Sequence, residues 1–183
     1  MIKKILIFLS IVSLSYSEAY KTQDSFNEFG ISLFKKINHQ DNSTFMISPI
    51  SISYALMMVS YGASGKTYDE ILSVLNLNHP HLINYFWPDY TNEHHFMPNT
   101  HLKDFFELYN GSNSLFQINN SIWIQNDKCY KPNLEYVNYI DSVFNGKVSY
   151  VDFYNDRLSI IEDINDWVNE NTFGTIKDIV SEN

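Results

Sequence analysis

Residues 45–78, "FMISPISISYALMMVSYGASGKTYDEILSVLNLN", decide how the rest of this chain is read. The stretch contains Gly65-Lys66-Thr67, the last three residues of a phosphate-binding loop. That pattern needs a glycine five residues before Gly65, where this sequence has Ser60. It also needs a buried strand ahead of the loop, whereas Ile50 to Ser60 carries the apolar pattern of a helix. The nucleotide reading is therefore set aside. Ser48-Pro49 is a helix start, with serine as cap and proline in the first turn. Ile50, Ile52, Tyr54, Ala55, Leu56, Met57, Met58 and Val59 make that helix apolar nearly all round, which implies burial within a larger body. Gly62 is placed to end it in the left-handed conformation. Thr67-x-x-Glu70 reads as a capping box for a further helix, about Tyr68 to Leu75.

Outward from this stretch the pattern continues. Before it, Phe26, Phe29, Leu33, Phe34 and Ile37 recur at helical spacing and predict a helix from about Ser25 to Asn38. Residues 43–49, "STFMISP", predict a short strand ahead of Pro49. After it, residues 76–100 hold three prolines and scattered aromatics and permit no long element. Leu102 to Tyr109 predicts a short helix. "SLFQINNSIWIQ", residues 114–125, alternates with one strongly apolar register, the mark of a strand with one face in a core. Pro132 opens a helix on which Leu134, Val137, Ile140 and Phe144 share a face. Asn145-Gly146 turns the chain into a second strand, "KVSYVDF". Ser159-x-x-Glu162 reads as another capping box, ahead of a helix striped with Ile160, Ile161, Ile164, Trp167 and Val168.

The bulk numbers bound the function. Of 183 residues, 44% are hydrophobic and 16% aromatic, the composition of a packed protein of about one domain. The first seventeen residues are a predicted secretory signal peptide: basic Lys3 and Lys4, an apolar run from Ile5 to Leu14, then a small-residue exit. That run is too short to span a bilayer, which takes about 20 residues. A secreted, extracellular chain is expected, with no membrane attachment once the signal is removed. Without Lys3 and Lys4, 10 basic residues face 21 acidic ones, a formal net charge of −11. Such a surface repels phosphate backbones, so nucleic acid is not an expected partner.

Sites for chemistry are sparse. Five of the six histidines fall between His79 and His101. His79, His81, His94, His95 and His101 straddle prolines and form no pair at the spacing a metal site needs, so no metal is expected. No G-x-S-x-G elbow appears and Cys129 has no marked base beside it, so neither catalytic residues nor a cofactor are expected. Cys129 is the one cysteine and cannot form an internal disulfide. It is a buried thiol, a bond to another chain, or half of a pair whose partner lies elsewhere. Asn42, Asn110 and Asn119 open N-glycosylation sequons, the last of them within the strand-like run, where a bulky glycan fits poorly.

The order of these pieces, with their residues, resembles the N-terminal half of the serpin family. In residues 45–78, Ser48, Pro49, Ser51, Ile52, Ala55, Leu56, Gly62, Ala63, Gly65, Thr67, Glu70, Ile71 and Leu75 fall in register with the family's pattern. "NSIWIQNDKCYKPNLEYVNYIDSVFNGKVSYVDF", residues 120–153, is similar to its strand-helix-strand passage through Asn120, Trp123, Tyr130, Pro132, Phe144, Val151, Asp152 and Phe153. "INDWVNENTFGTIKDIV", residues 164–180, resembles the end of the helix that crosses the family's main sheet, through Asn165, Trp167, Val168, Thr172, Gly174, Ile176 and Asp178. Thr44, Ile47 and Thr175 depart from the usual Asn, Phe and Lys.

The resemblance implies an α+β serpin fold, with residues 18–183 the N-terminal part of a single serpin domain. The C-terminal half, with the reactive loop, is absent, because a serpin is roughly twice this long, one large domain of more than about 300 residues. It implies a secreted inhibitor of serine or cysteine proteases whose loop inserts into the main sheet after cleavage. This chain, without that loop, is not expected to inhibit alone. A non-inhibitory binding or storage protein is the alternative the family also contains. The resemblance further implies that Ser48, Ser51 and Ser53 lie in the region where the central strands part. Heparin-type glycans are not expected partners, since residues 101–109 offer Lys103 as the one fixed positive charge.

Overall fold

A computed structural model of the chain describes residues 24–37, 45–78, 117–127, 131 and 133–182, in two compact units that meet in sequence at Ile118 and Asn119. The first unit holds three helices: α1 (residues 24–36), α2 (Pro49–Gly62) and α3 (Gly65–Val74). The second holds β1 (Ser121–Gln125), α4 (Leu134–Phe144), β2 (Lys147–Val151) and α5 (Arg157–Asn171).

Helix α2 begins as its sequence dictates. Ser48 caps it, its Oγ accepting from the Ser51 amide at 3.4 Å, and Pro49 follows in the first turn. Tyr54, Met57, Met58 and Tyr61 recur at helical spacing and form a buried face with Ser53 and Ser60. Ile52 and Val59 lie on the remaining surface, 37% and 47% exposed. One face of an all-round apolar helix is thus covered within this unit. Helix α1 contributes Phe26 and Phe29 to the same core, while Phe34, at 53%, stays exposed on its predicted apolar stripe. At Gly30, α1 comes so close to the head of α2 that an added Cβ would lie 3.0 Å from the Pro49 ring.

The turn between α2 and α3 corrects two expectations. Gly62 remains helical and the α2 cap is Ala63, in extended conformation; the left-handed glycine is Gly65, at φ +56°. Ser64 therefore becomes the N-cap of α3, and Thr67 falls inside the first turn. The Thr67/Glu70 capping box does not form. Glu70 instead faces Lys66 one turn earlier, at 3.4 Å in solvent. At its other end α3 closes in a Schellman motif: left-handed Asn76, with the Leu77 amide donating to Leu72 O at 2.8 Å and the Asn76 amide to Ser73 O at 3.2 Å. Leu72, Leu75 and Leu77 are all within 2% of full burial. The same turn is tied to α1. Ser25 Oγ donates to the Asn76 carbonyl at 3.0 Å, and Asn76 Nδ2 donates to Glu28 Oε2 at 3.3 Å.

In the second unit β1 and β2 pair in parallel, from Ser121 opposite Lys147 to Gln125 opposite Val151. Parallel neighbours need a long crossover, and α4 supplies it. Asn133 caps α4, its Oδ1 accepting from Glu135 N at 2.9 Å. Asn145 ends it at φ +49°, and the Gly146 amide returns to Ile140 O, so the predicted Asn-Gly turn is present. Tyr139, Ile140, Val143 and Phe144 are buried; Leu134 is 75% exposed and off the core face.

Other expectations need correction. Residues 45–48 form no strand, and of the alternating run's described residues, 117–125, β1 occupies the last five. All five are half-buried, so neither register is sealed in a core. A strand lasts as long as its hydrogen-bonding neighbour, and β2 matches β1 over five positions. The Ser159/Glu162 capping box is also absent. Helix α5 starts earlier, after Asp156, because Asp152 builds the turn that feeds it. The Asp152 carboxylate accepts from the Tyr154 and Asn155 amides, from Asn155 Nδ2 at 2.6 Å and from Gln125 Nε2 at 3.3 Å. On α5, Ile160 and Val168 are buried, while Ile161, Ile164 and Trp167 are half-buried. The predicted helix at Leu102 to Tyr109 and the signal segment lie outside the described residues.

Candidate functional site

The three serines singled out in the sequence do not form one cluster. Ser48 and Ser51 meet at the head of α2 with their hydroxyls 2.8 Å apart. Ser53, two residues on and so on the other side of the helix, is completely buried beside Tyr54 and Met57. Its hydroxyl has no hydrogen-bond partner among the described residues. Ser60, two turns further along the same buried face, shows what a serine does there when satisfied: its Oγ donates to the Met57 carbonyl at 2.7 Å. Leaving a buried hydroxyl unpaired costs about 1–3 kcal/mol. Ser53 is therefore the polar group of α2 set to gain from a further partner.

The second candidate region lies where α5 meets the sheet. Lys147 and Ser149 alternate along β2, and Trp123 pairs with Ser149 on β1, so all three share one sheet face. Asp163, Asp166, Trp167 and Glu170 recur at helical spacing on α5. Between the two sets is an open hollow of about 380 Å³. The Lys147 ammonium stands 4.9 Å from the Trp123 ring centre, a cation–π contact. The Trp123 indole donates to Ser121 Oγ at 2.9 Å.

On the far side of α5, Asn165, Thr172 and Ile176 match the family's pattern in sequence, but the sequence assigned them no role. Asn165 Oδ1 accepts from the Ile179 amide at 2.9 Å and from the Val180 amide at 3.1 Å, and its Nδ2 donates to the Val180 carbonyl at 2.9 Å. Thr172 Oγ1 accepts from the Ile176 amide at 3.0 Å. Asn and Thr two turns apart on one helix face were the available signal, but their use depends on a chain reversal that periodicity does not reveal.

Two ionisations are displaced. Hydrogen bonds, led by that from the Asn155 side chain, hold the Asp152 carboxyl below the usual carboxylate range, and burial pushes the Tyr136 phenol up. Among the described residues no group of three or more His, Cys, Asp or Glu could hold a metal ion. His79, His81, His94, His95, His101 and Cys129 lie outside the described residues, as do the sequon asparagines Asn42 and Asn110. Asn119 is half-buried just ahead of β1, its Nδ2, the atom that would carry a glycan, donating to the Asn171 carbonyl at 3.1 Å. No helix of the described residues is long and apolar enough to cross a membrane.

Comparison with known proteins gives this geometry its context. The family model for Serpin (serine protease inhibitor) matches residues 24–183. A serpin-like protein of Thermococcus kodakarensis is 32% identical over 158 residues, covering 86% of this chain and 34% of its own length. Human neuroserpin is 27% identical over 182 residues, covering 95% of this chain and 40% of its own. Among solved structures, reactive-loop-cleaved human thyroxine-binding globulin superposes with a TM-score of 0.68 at 24% identity, covering 90% of this chain and 45% of that one. Emu ovalbumin gives 0.66 at 22%, covering 88% and 42%. The chain belongs to the serpin family, whose model carries the description serine protease inhibitor. Its fold is that of part of a serpin, and it spans between about a third and a half of the length of the relatives named here.

Proposed function

We propose that residues 18–183 are the N-terminal portion of the body of a secreted serpin-type protease inhibitor, released by removal of residues 1–17. The remaining strands and the reactive loop lie in polypeptide outside this sequence. The observation that carries the reading is the family match over residues 24–183, combined with relatives that continue for more than as long again. The surfaces of both units support it. Ile52 and Val59 leave the second side of α2 uncovered, and among the described residues β1 has a neighbour on one edge. An unpaired sheet edge and an uncovered apolar helix face are surfaces that a serpin body covers with its own chain.

Within that body, Ser48, Ser51 and Ser53 belong to the region where the main sheet parts. Small hydroxyls under separating strands exchange partners at about 1 kcal/mol net per hydrogen bond. Ser53, buried without a hydrogen-bond partner among the described residues, is the clearest of the three. Helix α5 lies over the sheet and yields when the loop inserts. The partner of the full-length protein is a serine- or cysteine-class protease; heparin-type glycans and nucleic acid are not partners of so acidic a chain. Glycans are carried on Asn42 and Asn110 rather than on Asn119, whose amide is engaged with Asn171.

The test is the full transcript and its product. Sequencing past Asn183 is expected to show the frame continuing into a mobile loop of about 20 residues and a closing strand pair. The full product, mixed with proteases of trypsin, elastase and papain type, is expected to form a covalent complex stable to denaturation. A substrate-like cleavage with every protease tried would replace inhibition by the non-inhibitory reading. A message that stops after Asn183 would end the proposal.

A further inference from the structure

The C-terminal end of α5 is completed from outside the helix. The last four carbonyls of a helix find no partner within it. In α5 three of them are met locally: Val168 O by the Thr172 amide at 2.9 Å, Asn169 O by the Gly174 amide at 2.8 Å and Glu170 O by the Phe173 amide at 3.3 Å. The fourth, Asn171 O, is met by Asn119 Nδ2 at 3.1 Å, from a residue 52 positions earlier in the chain. Asn119 also opens the sequon Asn119-Asn120-Ser121, and the fold uses all three of its residues. Asn120 O accepts from the Lys147 amide at 3.1 Å, and Ser121 Oγ accepts from the Trp123 indole at 2.9 Å. A glycan is bulky and needs a surface position, whereas Asn119 is half-buried against the last turn of α5. The folded sequon is therefore closed to modification. Before folding it is open. Synthesis adds about 5–20 residues per second, so about 3–10 s separate the making of Asn119 from that of Asn171.

We infer that N-glycosylation of Asn119 and completion of the α5 C-terminus exclude one another, so that the order of these two events during synthesis decides whether a chain folds. The inference rests on the secretory reading above, since that compartment supplies the sugar donor. In the transfer, Asn119 Nδ2 attacks the anomeric carbon of an oligosaccharide held on a lipid pyrophosphate. The new N–C bond replaces a C–O bond, the pyrophosphate leaves with the bonding electrons, and Nδ2 gives up one proton. A chain modified in this way carries its glycan where the end of α5 has to sit, and is held back unfolded. A chain that brings Asn171 to Asn119 first folds with the asparagine bare, and the site is then shut.

The test uses the full chain with Asn42→Gln and Asn110→Gln, made in a eukaryotic secretory host behind residues 1–17 and, in parallel, behind an unrelated secretory signal. Occupancy at Asn119 is read by mass spectrometry after enzymatic glycan release, which turns a glycosylated asparagine into aspartate. Secreted protein is expected to carry Asn119 bare, and the cell-retained pool to be enriched at least about tenfold in the occupied form. Ser121→Thr keeps the hydroxyl and makes a better acceptor, and is expected to move protein from the secreted to the retained pool. In a bacterial host that attaches no N-glycan, the same substitution is expected to leave soluble yield and the urea midpoint unchanged. An equal loss in bacteria would overturn the inference, because the substitution and not the glycan would be at fault. Equal occupancy in secreted and retained protein would overturn it too, as would a bare Asn119 in both pools of Ser121→Thr. Export behind the unrelated signal alone would contradict the secretory reading, and the occupancy of that product would still decide the inference. Protease inhibition enters none of these readouts.

Discussion

The two units bury their apolar residues with unequal success. In the first, Tyr54, Met57, Met58, Leu72, Leu75 and Leu77 are all within 2% of full burial, and three helices close around them with the Asn76 turn bound to α1. In the second, Ile140 alone reaches that level among the described residues, and every residue of β1 is half-buried. A helix satisfies its backbone internally and needs only a packed face. A strand needs neighbours on both edges and cover on its faces. The same chain can therefore complete a helical core locally while, among the described residues, its sheet stays two-stranded and half-buried.

The contrast can be broken at its strongest point. Leu72→Ala, at a site with no room to relax, is expected to cost about 2–5 kcal/mol, whereas Ile164→Ala on half-buried α5 is expected to cost under about 1.5 kcal/mol. Urea unfolding followed by circular dichroism measures both; equal losses would remove the distinction between the units. Gly65→Ala is expected to cost about 1–2 kcal/mol from its left-handed backbone alone, since nothing lies within 4 Å of the added Cβ. Gly62→Ala is expected to be neutral or better, and the reverse ranking would restore the turn first read from the sequence.

The buried serines sharpen the comparison by sign. Ser60→Ala removes a made hydrogen bond and is expected to destabilise by about 1 kcal/mol. Ser53→Ala removes an unpaired hydroxyl and is expected to be neutral or to raise the unfolding midpoint. A loss at Ser53 matching that at Ser60 would mean its hydroxyl is satisfied. The smallest effect concerns pH. Hydrogen bonding to the charged form depresses Asp152 in the folded state, so its contribution is fully present above the unfolded carboxylate range and is lost as pH falls through the lower, folded value. Asp152→Asn is expected to flatten the acid limb of the stability curve, and an unchanged limb would show that this turn carries none of it.

Much of the fold was legible because its signals are local. Ser48-Pro49, the Met57 and Met58 face, and Asn145-Gly146 each fix a boundary or a face without reference to distant residues. Both capping boxes failed for one reason: Thr67-x-x-Glu70 and Ser159-x-x-Glu162 satisfy the spacing rule one turn too late, because Gly65 and Asp152 start their helices earlier. The strand lengths failed because alternation records which side chains suit a sheet, not how far a neighbour extends. Ser48 and Ser51 were legible as a pair, since three residues on a helix bring them together. Asn165 was legible as a match to the family but not in its role, because its partners are backbone groups delivered by a reversal fourteen residues later.

Native-state amide exchange on residues 18–183 compares the two units in a single measurement. Interior amides of α2 around Met57 and Met58 are expected to exchange at least about 100-fold more slowly than those of β1 at Ile122 to Ile124. Equal protection of the two segments would mean that the sheet is already complete within this chain, contradicting its place as one part of a larger serpin body.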